Sequence, residues 1–409
     1  MTLISYRFHH IRKLYFLPFL FVFFSSCEEK ETGDEARKFI PNNHYIVEIN
    51  SEPVTSKTEY VDGHFILRSP NNPDTLLSSP MKIKGRGEAT WFNYPKKPYH
   101  IEFEEKVSLF DWNKGKDYYL LANYTDKSMI KYEVAFSLAR YLNMDYTPNS
   151  EFIELFLNDE YIGLYQITEP IKQGKKRINT PENGFILEIN NQMIYNSFNA
   201  EWDDFHFKDG DIYFTFKYPK TDSDKEAIQP SALQYVQAIT DNSLCSSMID
   251  LKSFAKWWYV NQIMCNGDPN IYFFLGTDNL LHAGPVWDIE WSCGHGSNDG
   301  TRGKHTTLSY PYYDKLLQNN APFKNELAKI IQDPGIIYQI YQTACDKVGS
   351  VTNNFTRWEI LNQRIAVGCN PLGSWQAEVD ADRDFVIEQM KYINNYILGN
   401  LQDSNSSSK

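Results

Sequence analysis

The chain has 409 residues and a formal net charge of −12, with 52 acidic side chains against 40 basic ones. Because an acidic surface repels the phosphates of DNA and RNA, this balance argues against nonspecific nucleic-acid binding, and we predict no nucleic-acid partner. Hydrophobic residues make up 42% of the chain and aromatic residues 15%, which excludes a largely disordered protein and is enough for one large domain.

Residues 1–27 have the pattern of an export signal. A basic segment precedes an apolar run over residues 14–24, which is short for a membrane span and is interrupted by Pro18. Two serines then directly precede Cys27, the arrangement in which a bacterial lipoprotein signal is cleaved and the cysteine is acylated. We therefore predict an exported protein held at the bacterial cell envelope, at the outer membrane, by lipid on Cys27. The alternative is an ordinary secretory signal with an incidental cysteine.

Residues 28–40 are rich in charge and predict an acidic tether. From Tyr45 onward, short alternating runs such as YIVEIN, HFILRS, MKIKG and PYHIEF are separated by Pro, Asn and Gly, which predicts antiparallel strands. The spacing of apolar residues becomes helical from about Ser128, a candidate cap for that helix. The stretch FIELFLNDEYIGLYQITE then predicts a hairpin that turns at Asn158 and Asp159.

The second half of the chain is mostly helical in pattern. Asp250 is a candidate N-cap for the helix in DLKSFAKWWYVNQIM, and helical spacing continues to about Leu401, before a polar tail over 402–409. We predict an α+β fold with a β-rich N-terminal half and a helix-rich C-terminal half, in one domain over residues 41–401.

The chain contains six cysteines, five of them after Cys27. The sequence has no CxxC pair and no Cys/His group with zinc spacing, so it predicts no structural zinc site. An odd number of thiols cannot pair completely within the chain, and the pattern does not identify disulfide partners.

The segment MKIKGRGEATW contains a glycine turn that follows a predicted strand. The backbone N–H groups of Gly85, Arg86 and Gly87 can surround a phosphate, and a lysine on the next strand, Lys97, can reach it. Two other lysines, Lys84 and Lys96, are rivals for that role. The same glycines also fit a simple turn between two strands, and the segment alone does not decide between these readings.

A short loop, NGDPN, follows the helix that begins near Asp250. Asp268 and Asn270 place a carboxylate and an amide in this loop. Protein-kinase catalytic loops use the same pair at a longer spacing, with the Asp acting on the acceptor hydroxyl and the Asn binding Mg²⁺. The residues of the loop also favour an ordinary turn.

The segment GPVWDIEWSCG offers two further carboxylates, Asp288 and Glu290. If the segment is extended, both side chains lie on one side, where they repel each other unless a cation lies between them. Carboxylates suit Mg²⁺ or Mn²⁺. The apolar run between Asp268 and Asp288 predicts a hairpin that brings these two residues together.

The segment ANYTDKSMI joins a predicted strand to the helix near Ser128. Asn123, Asp126, Lys127 and Ser128 place polar groups at the N-terminus of that helix, where an anion can bind. Ordinary capping of the helix is the alternative.

These motifs occur in an order that resembles the CotH family, the spore-coat protein H group of atypical protein kinases. The similar segments run from about residue 80 to 295, with weaker similarity to about 395: KIKGRG, KKPYHIEF, ANYTDKSMI, ELFLNDEYIGLYQITE, FKYPK, NGDPN and GPVWDIEWSCG. The resemblance implies a divergent, two-lobed protein-kinase-like fold with ATP and Mg²⁺ or Mn²⁺ between the lobes. It also implies transfer of the γ-phosphoryl group to Ser or Thr of a protein.

The resemblance also implies roles for individual residues. Asp268 matches the catalytic-loop aspartate, and Asp288 matches the metal-binding aspartate that stands in for a DFG motif. Asn270 lies near the metal-binding amide of the loop. Glu290 replaces what is often a second aspartate, and its carboxylate can still bind a metal.

The glycine turn corresponds to the nucleotide-binding segment of the family, which Gly85, Arg86 and Gly87 match, with Lys97 as the phosphate contact. After this turn the family commonly has Asn-Ser, whereas this chain has an acidic residue, Glu88, followed by Ala. Because a carboxylate repels phosphate, Glu88 is expected to point away, to pair with a cation, or to mark altered nucleotide binding.

Two other functions remain open at the level of sequence. The chain has no HRD, VAIK or DFG string, so kinase chemistry rests on the resemblance. Since ATP is scarce outside the cytoplasm, the alternative is a weakly active or inactive CotH-like fold that serves as a surface binding or scaffold lipoprotein. A metal-dependent hydrolase that uses the same carboxylates is a third reading.

Overall fold

The computed structural model describes residues 39–70, 74–189, 205–295, 300–365 and 368–406. The predicted signal peptide, Cys27 and the predicted tether up to residue 38 lie outside these ranges. The described folded unit begins at Phe39, whose ring lies 5.3 Å from that of Phe156 and 5.2 Å from that of Tyr161. In the part of the chain that the structure describes, no helix has the length and apolar character needed to cross a bilayer.

The first half of the folded unit is a closed barrel of seven strands in the order β1-β2-β3-β4-β5-β7-β6. Alternate side chains of the strands fill its interior, as Val47, Phe65, Ile83 and Ile101 do. Two helices accompany the barrel, α1 (Ala89–Asn93) after β3 and α2 (Lys131–Tyr141) after β5. The strands are β1 (Tyr45–Ser51), β2 (Val61–Arg68), β3 (Thr75–Gly85), β4 (Tyr99–Val107), β5 (Gly115–Leu121), β6 (Ser150–Leu157) and β7 (Glu160–Thr168).

Closure of the barrel depends on one parallel pairing between distant segments. β1 pairs with β6 so that Val47 lies opposite Leu155, whereas the other barrel neighbours are antiparallel. The predicted antiparallel strands are therefore confirmed. The sequence did not predict their closure, because local alternation carries no information about a partner so far along the chain.

The second half contains a smaller sheet and eight helices among the described residues. The sheet has the strand order β12-β11-β8-β10-β9, formed by β8 (Ile186–Ile189), β9 (His206–Asp209), β10 (Ile212–Tyr218), β11 (Ile271–Leu275) and β12 (Leu281–Ala283). The helices are α3 (Asp222–Ala238), α4 (Cys245–Met248), α5 (Leu251–Ile263), α6 (Tyr313–Asn319), α7 (Ala321–Ile330), α8 (Ile336–Val348), α9 (Thr352–Arg357) and α10 (Trp375–Ser406).

Helix α5 lies at the centre of this half and is buried on nearly every side. It packs against α7, α10 and β12. Its Phe254 ring stacks on Phe273 of β11 at 5.0 Å, and its Trp257 ring stacks on Tyr313 of α6 at 5.0 Å. A helix that is apolar all round belongs inside a core, and this core supports both strands of the β11–β12 hairpin.

Three local predictions can be compared with the structure. The hairpin of β6 and β7 is confirmed, and its turn residues Asn158 and Asp159 have φ angles of +51° and +66°, as a two-residue turn of this type requires. Asp250 is confirmed as the cap of α5, because its side chain accepts the N–H of Lys252. Ser128 does not cap α2, which begins later, at Lys131.

The carboxylate of Asp126 supplies the bonds that Ser128 was expected to provide. It accepts the N–H groups of Ser128 and Lys131 at 2.9 and 3.0 Å and the hydroxyl of Ser128 at 2.6 Å. Asp126 therefore performs ordinary capping of α2, the alternative that the sequence left open. Asn123 instead donates to the carbonyl of Met129, and Lys127 pairs with Glu378. The β-rich N-terminal half and helix-rich C-terminal half of the predicted α+β fold are confirmed.

Candidate functional site

The β11–β12 hairpin brings together the loops that carry Asp268 and Asp288. Phe273 pairs with Ala283 within the hairpin. Beyond its open end, the N–H of Gly267 donates to the carbonyl of Trp291 at 3.2 Å, and the amide of Asn266 donates to the carbonyl of Asp288 at 2.9 Å. The predicted hairpin therefore forms, and its two ends are tied together where the two carboxylates lie.

Asp288 has a left-handed backbone, with a φ of +61°, so the segment around it is not the extended strand that the sequence suggested. Its carboxylate nevertheless lies near Glu290 and Asp268. Burial and then the negative charges of these two residues raise the pKa of Asp288 to about 7. Asp268 and Glu290 thus lie near Asp288 at the open end of the hairpin, although the ligand atoms of the three residues do not all lie within 4.8 Å of one another.

Glu290 is fixed from the barrel side of the molecule. The hydroxyl of Thr125, in the loop before α2, donates to its carboxylate at 2.7 Å. Burial raises the pKa of Glu290, and this hydrogen bond opposes the increase. The ammonium of Lys131 donates to the backbone carbonyls of Glu290 and Ser292 at 3.2 and 3.4 Å, so the first turn of α2 holds the loop that carries both carboxylates.

Asn270 is engaged by a carboxylate that the sequence did not single out. Its amide donates to Glu188 of β8 at 2.6 Å, and the hydroxyl of Tyr272 donates to the same oxygen at 2.6 Å. The charge of Glu188 also raises the pKa of Asp288. Glu188 lies in the short strand β8. The register that places it opposite Tyr272 is a tertiary feature with no local sequence signal.

The glycine turn after β3 has a structural reason for each glycine. A Cβ on Gly85 would lie 2.4 Å from the ring of Trp91, and Gly87 has a φ of +77°. The N–H of Gly85 donates to the Ser56 carbonyl at 2.8 Å and that of Arg86 donates to the Pro98 carbonyl at 3.1 Å. These two N–H groups are therefore already engaged within the protein.

Arg86 is the residue of the turn that reaches the carboxylates. Its guanidinium carbon lies 4.5 Å from the ring centre of Tyr119 and 6.0 Å from that of Trp287, a stacking arrangement typical of arginine. Its positive charge favours ionisation and so opposes the increase in the pKa of both Asp288 and Glu290. Arg86 therefore faces the same site as the carboxylates.

The acidic residue that follows the turn is paired with a cation. Glu88 forms an ion pair with Lys57, and its carboxylate is half exposed. This is one of the three outcomes that the sequence allowed for Glu88, and it removes the expected repulsion of a bound phosphate.

The three lysines considered for a phosphate contact occupy different environments. The ammonium of Lys97 donates to the carbonyl of Trp91, and that of Lys84 lies 4.5 Å from the ring centre of Tyr60. Lys96 is 1% exposed and donates to the Leu164 carbonyl at 2.6 Å and to the Asn354 side chain at 2.8 Å. Lys97 thus lies at the glycine turn, while Lys96 is a buried structural residue.

Burial lowers the pKa of Lys96 to about 7, although the charges of Glu154 and Glu290 oppose the decrease. In the unfolded chain Lys96 has an ordinary lysine pKa and therefore binds a proton more tightly than in the folded protein. As the pH falls from about 10 to about 7, the free energy of unfolding consequently decreases. We expect the free energy of unfolding of the native protein to rise by about 2 kcal/mol relative to Lys96→Met between about pH 7 and pH 9. Urea unfolding at both pH values measures this, and parallel pH profiles would contradict it.

A buried ionic cluster lies beneath the loop of Asp288 and Glu290. Arg302 donates to the carboxylate of Asp382 on α10 at 2.5 Å and to the Cys293 carbonyl at 2.7 Å. Burial opposes ionisation of Asp382, yet the charges of Lys131 and Arg302, together with the ring of His295 at 3.6 Å, hold its pKa well below the usual range. Since these residues come from distant parts of the chain, no local sequence pattern indicates the cluster.

The carboxylates at the site fit a divalent cation. The charges of Asp268, Glu290 and Glu188 each disfavour ionisation of Asp288, and Arg86 only partly offsets them. Like charges in a partly buried site call for a cation, and oxygen ligands are those that Mg²⁺ and Mn²⁺ prefer. Asp288 and Glu290 are therefore suited to hold such an ion.

Comparison with curated protein sequences finds no matching relative. The family described as CotH kinase protein matches residues 82–393, most of the chain. The matched range includes the glycine turn, both hairpin loops and the ionic cluster under them, and it extends through most of α10. This chain belongs to the CotH kinase protein family.

Proposed function

We propose that the chain is an exported, lipid-anchored atypical protein kinase that transfers the γ-phosphoryl group of ATP to Ser or Thr of a protein. The observation that carries the proposal is the proximity of Asp268 and Glu290 to Asp288, beside the positive charge of Arg86. Membership of the CotH kinase protein family supports a kinase-like activity. Anchoring through Cys27, which rests on the sequence pattern, would place the enzyme at the outer membrane.

Asp288 and Glu290 are the residues proposed to hold Mg²⁺ or Mn²⁺. The ion would supply neutralisation of the phosphate charge. Asn270 donates through Nδ2 to Glu188 at 2.6 Å, which leaves its Oδ1 as the atom that would join them as a ligand. Arg86 would add a fixed positive charge beside the phosphates. The N–H groups of Gly85 and Arg86 already have partners within the protein. The side chain of Arg86, rather than the backbone of the turn, is therefore the proposed contact to the phosphates.

Asp268 is the proposed acceptor of the substrate hydroxyl proton. Asp268 is exposed at the open end of the hairpin, where a protein substrate can reach it, and partial shielding of its carboxyl group from water by surrounding atoms raises its pKa. A raised pKa makes a carboxylate a better proton acceptor. We also propose that the barrel half and the helical half act as the two lobes of a kinase-like fold.

Melting of the protein with and without MgATP tests the nucleotide site directly. We expect saturating MgATP to raise the melting temperature by several degrees, since a ligand at about 100 times its Kd stabilises by about 2.7 kcal/mol. The Asp268→Asn variant should keep this shift but lose about a hundredfold or more in phosphoryl transfer, because Asp268 acts on the acceptor rather than on ATP.

Two results would count against this proposal. A melting temperature that does not respond to MgATP would favour the alternative of a surface binding or scaffold lipoprotein. Equal transfer rates for the native protein and Asp268→Asn would remove Asp268 from the reaction.

A further inference from the structure

A second cluster of charged side chains lies at the closed end of the β11–β12 hairpin, at the far tip from Asp268 and Asp288. His282 of β12 is buried between three aspartates from separate segments. Asp145 follows α2, Asp250 caps α5, and Asp278 lies in the turn between β11 and β12. Ligand atoms of Asp145, Asp250 and His282 all lie within 4.8 Å of one another.

The two ring nitrogens of His282 have different partners. Nδ1 lies 2.8 Å from Asp145 Oδ2 and 3.1 Å from Asp250 Oδ2, whereas Nε2 lies 3.0 Å from Asp278 Oδ1. Metal-binding histidines commonly use one nitrogen as ligand and donate the other N–H to a carboxylate, which fixes the tautomer and the ring. The surroundings of His282 have this arrangement, with Asp278 as the acceptor.

Two of the three aspartates and the imidazole are held in place by a further contact. Asp250 uses Oδ1 to accept the N–H of Lys252 at 3.0 Å, which leaves Oδ2 toward His282. Asp278 accepts the N–H of Leu280 at 3.1 Å. The ring of Phe274 stacks on that of His282 at 5.1 Å. Asp250, Asp278 and His282 are thus oriented before any ligand binds, as a built metal site requires.

The charges at the cluster are strongly unbalanced. Three carboxylates surround one imidazole, and a proton on the ring would offset only one of them. Two cations lie nearby, but Lys256 donates to the Asn143 carbonyl and Arg177 forms an ion pair with Glu169 at 3.4 Å. A dication neutralises such a cluster better than a proton does.

The cluster is also open to an entering ion. Asp145 is 42% exposed, and a cavity of about 240 Å³ is lined by Asp145, Asp278 and His282 together with neighbouring residues. Ligands bound to one zinc ion at ordinary distances lie about 3.4 Å apart, so the distances of 2.8 and 3.1 Å from His282 Nδ1 to Asp145 and Asp250 need to open by only a few tenths of an ångström.

We propose that His282, Asp145 and Asp250 form a binding site for a divalent transition-metal cation of the zinc type, with Asp278 orienting the imidazole. A ligand set of one imidazole and two carboxylates suits Zn²⁺ better than the harder Mg²⁺ or Ca²⁺. The bound ion fastens the tip of the hairpin to the end of α2 and the start of α5. It therefore steadies the hairpin whose other end carries Asp268 and Asp288.

Titration of the metal-stripped full-length protein with Zn²⁺, in the presence of excess Mg²⁺, tests the site by calorimetry. We expect one zinc ion per native chain and a rise in melting temperature on zinc addition. Asp145→Asn, at an exposed position that tolerates the change, should bind zinc at least about tenfold more weakly. Asp278→Asn should bind it about 10–100-fold more weakly through loss of the orienting carboxylate.

Two control variants separate this site from the rest of the molecule. His64→Asn alters an exposed histidine on β2, and Asp288→Asn alters the proposed nucleotide site, so both should bind zinc as the native protein does. No zinc uptake by the native protein would show that the carboxylates hold only a protonated imidazole and would overturn the proposal. Equal zinc affinity of Asp145→Asn and the native protein would also overturn it.

Discussion

Replacing Asp288 with Asn should lower phosphoryl transfer at least about 10³-fold while raising the melting temperature of the metal-free protein. The first effect follows because Asp288 is the central proposed metal ligand, and neutralisation of phosphate charge by a metal is worth several kcal/mol. The second follows because the charges of Glu290, Asp268 and Glu188 all act against its carboxylate. After allowance for solvent screening, loss of one charge should stabilise by roughly 1–2 kcal/mol.

Asn is the appropriate replacement because Asp288 has a φ of +61°, a region that Asn tolerates better than Ala does. The Asn266 bond to the Asp288 backbone carbonyl is also kept. This variant should lose the melting shift caused by MgATP, whereas Asp268→Asn should keep it. A variant that is both inactive and less stable would point instead to a structural role for Asp288.

Replacing Asp382 with Asn should destabilise the protein by about 3–5 kcal/mol, because it leaves the buried cations Lys131 and Arg302 without their carboxylate partner. Asp382 is 2% exposed, so in the variant water has little access to this position and cannot solvate the cations that have lost their partner. Lys131 also holds the loop of Glu290 through two backbone carbonyls. We therefore expect reduced transfer activity as well, measured below the melting temperature of the variant.

Asp380→Asn on the same helix is the matched control. Asp380 is 42% exposed and pairs with Arg383 at 2.7 Å, so its loss should cost less than about 1 kcal/mol. The pKa of Asp382 is lowered in the folded state, so its contribution is complete above the unfolded value of about 4 and is lost as the pH falls further. Urea unfolding of both variants should show the Asp382 effect at neutral pH and its decline below about pH 4. An equal loss for the two variants would contradict a buried charge network.

Local patterns predicted the elements that carry the site. The alternating runs gave the barrel strands, Asp250 was identified as a cap, and the apolar run between Asp268 and Asp288 indicated the hairpin that joins them. These features depend on residues near one another in sequence. The ordered motifs were also enough to identify the family, which matches residues 82–393.

The features that the sequence missed all depend on distant contacts. Glu188 reaches Asn270 only through the pairing of β8 with β11. Asp382 reaches Lys131 only through the docking of α10. No local pattern associates His282 with Asp145, because this cluster combines one histidine with aspartates from separate segments, whereas zinc motifs in sequence place cysteines and histidines at short, fixed spacings. Asp288 and Glu290 lie near each other, as predicted. The backbone between them is not an extended strand, however, because Asp288 has a left-handed conformation.

Transfer of label from ATP provides the most direct test of the central claim that Asp268, Asp288 and Glu290 form a phosphoryl-transfer site. The purified protein is incubated with a mixture of candidate protein acceptors and Mg²⁺ or Mn²⁺, in parallel with ATP labelled on the γ- or on the α-phosphate. We predict that label from the γ-phosphate appears on Ser or Thr, that label from the α-phosphate does not, and that Asp288→Asn transfers neither. Label from the α-phosphate on protein, or γ-label transfer that Asp288→Asn retains in full, would contradict the account.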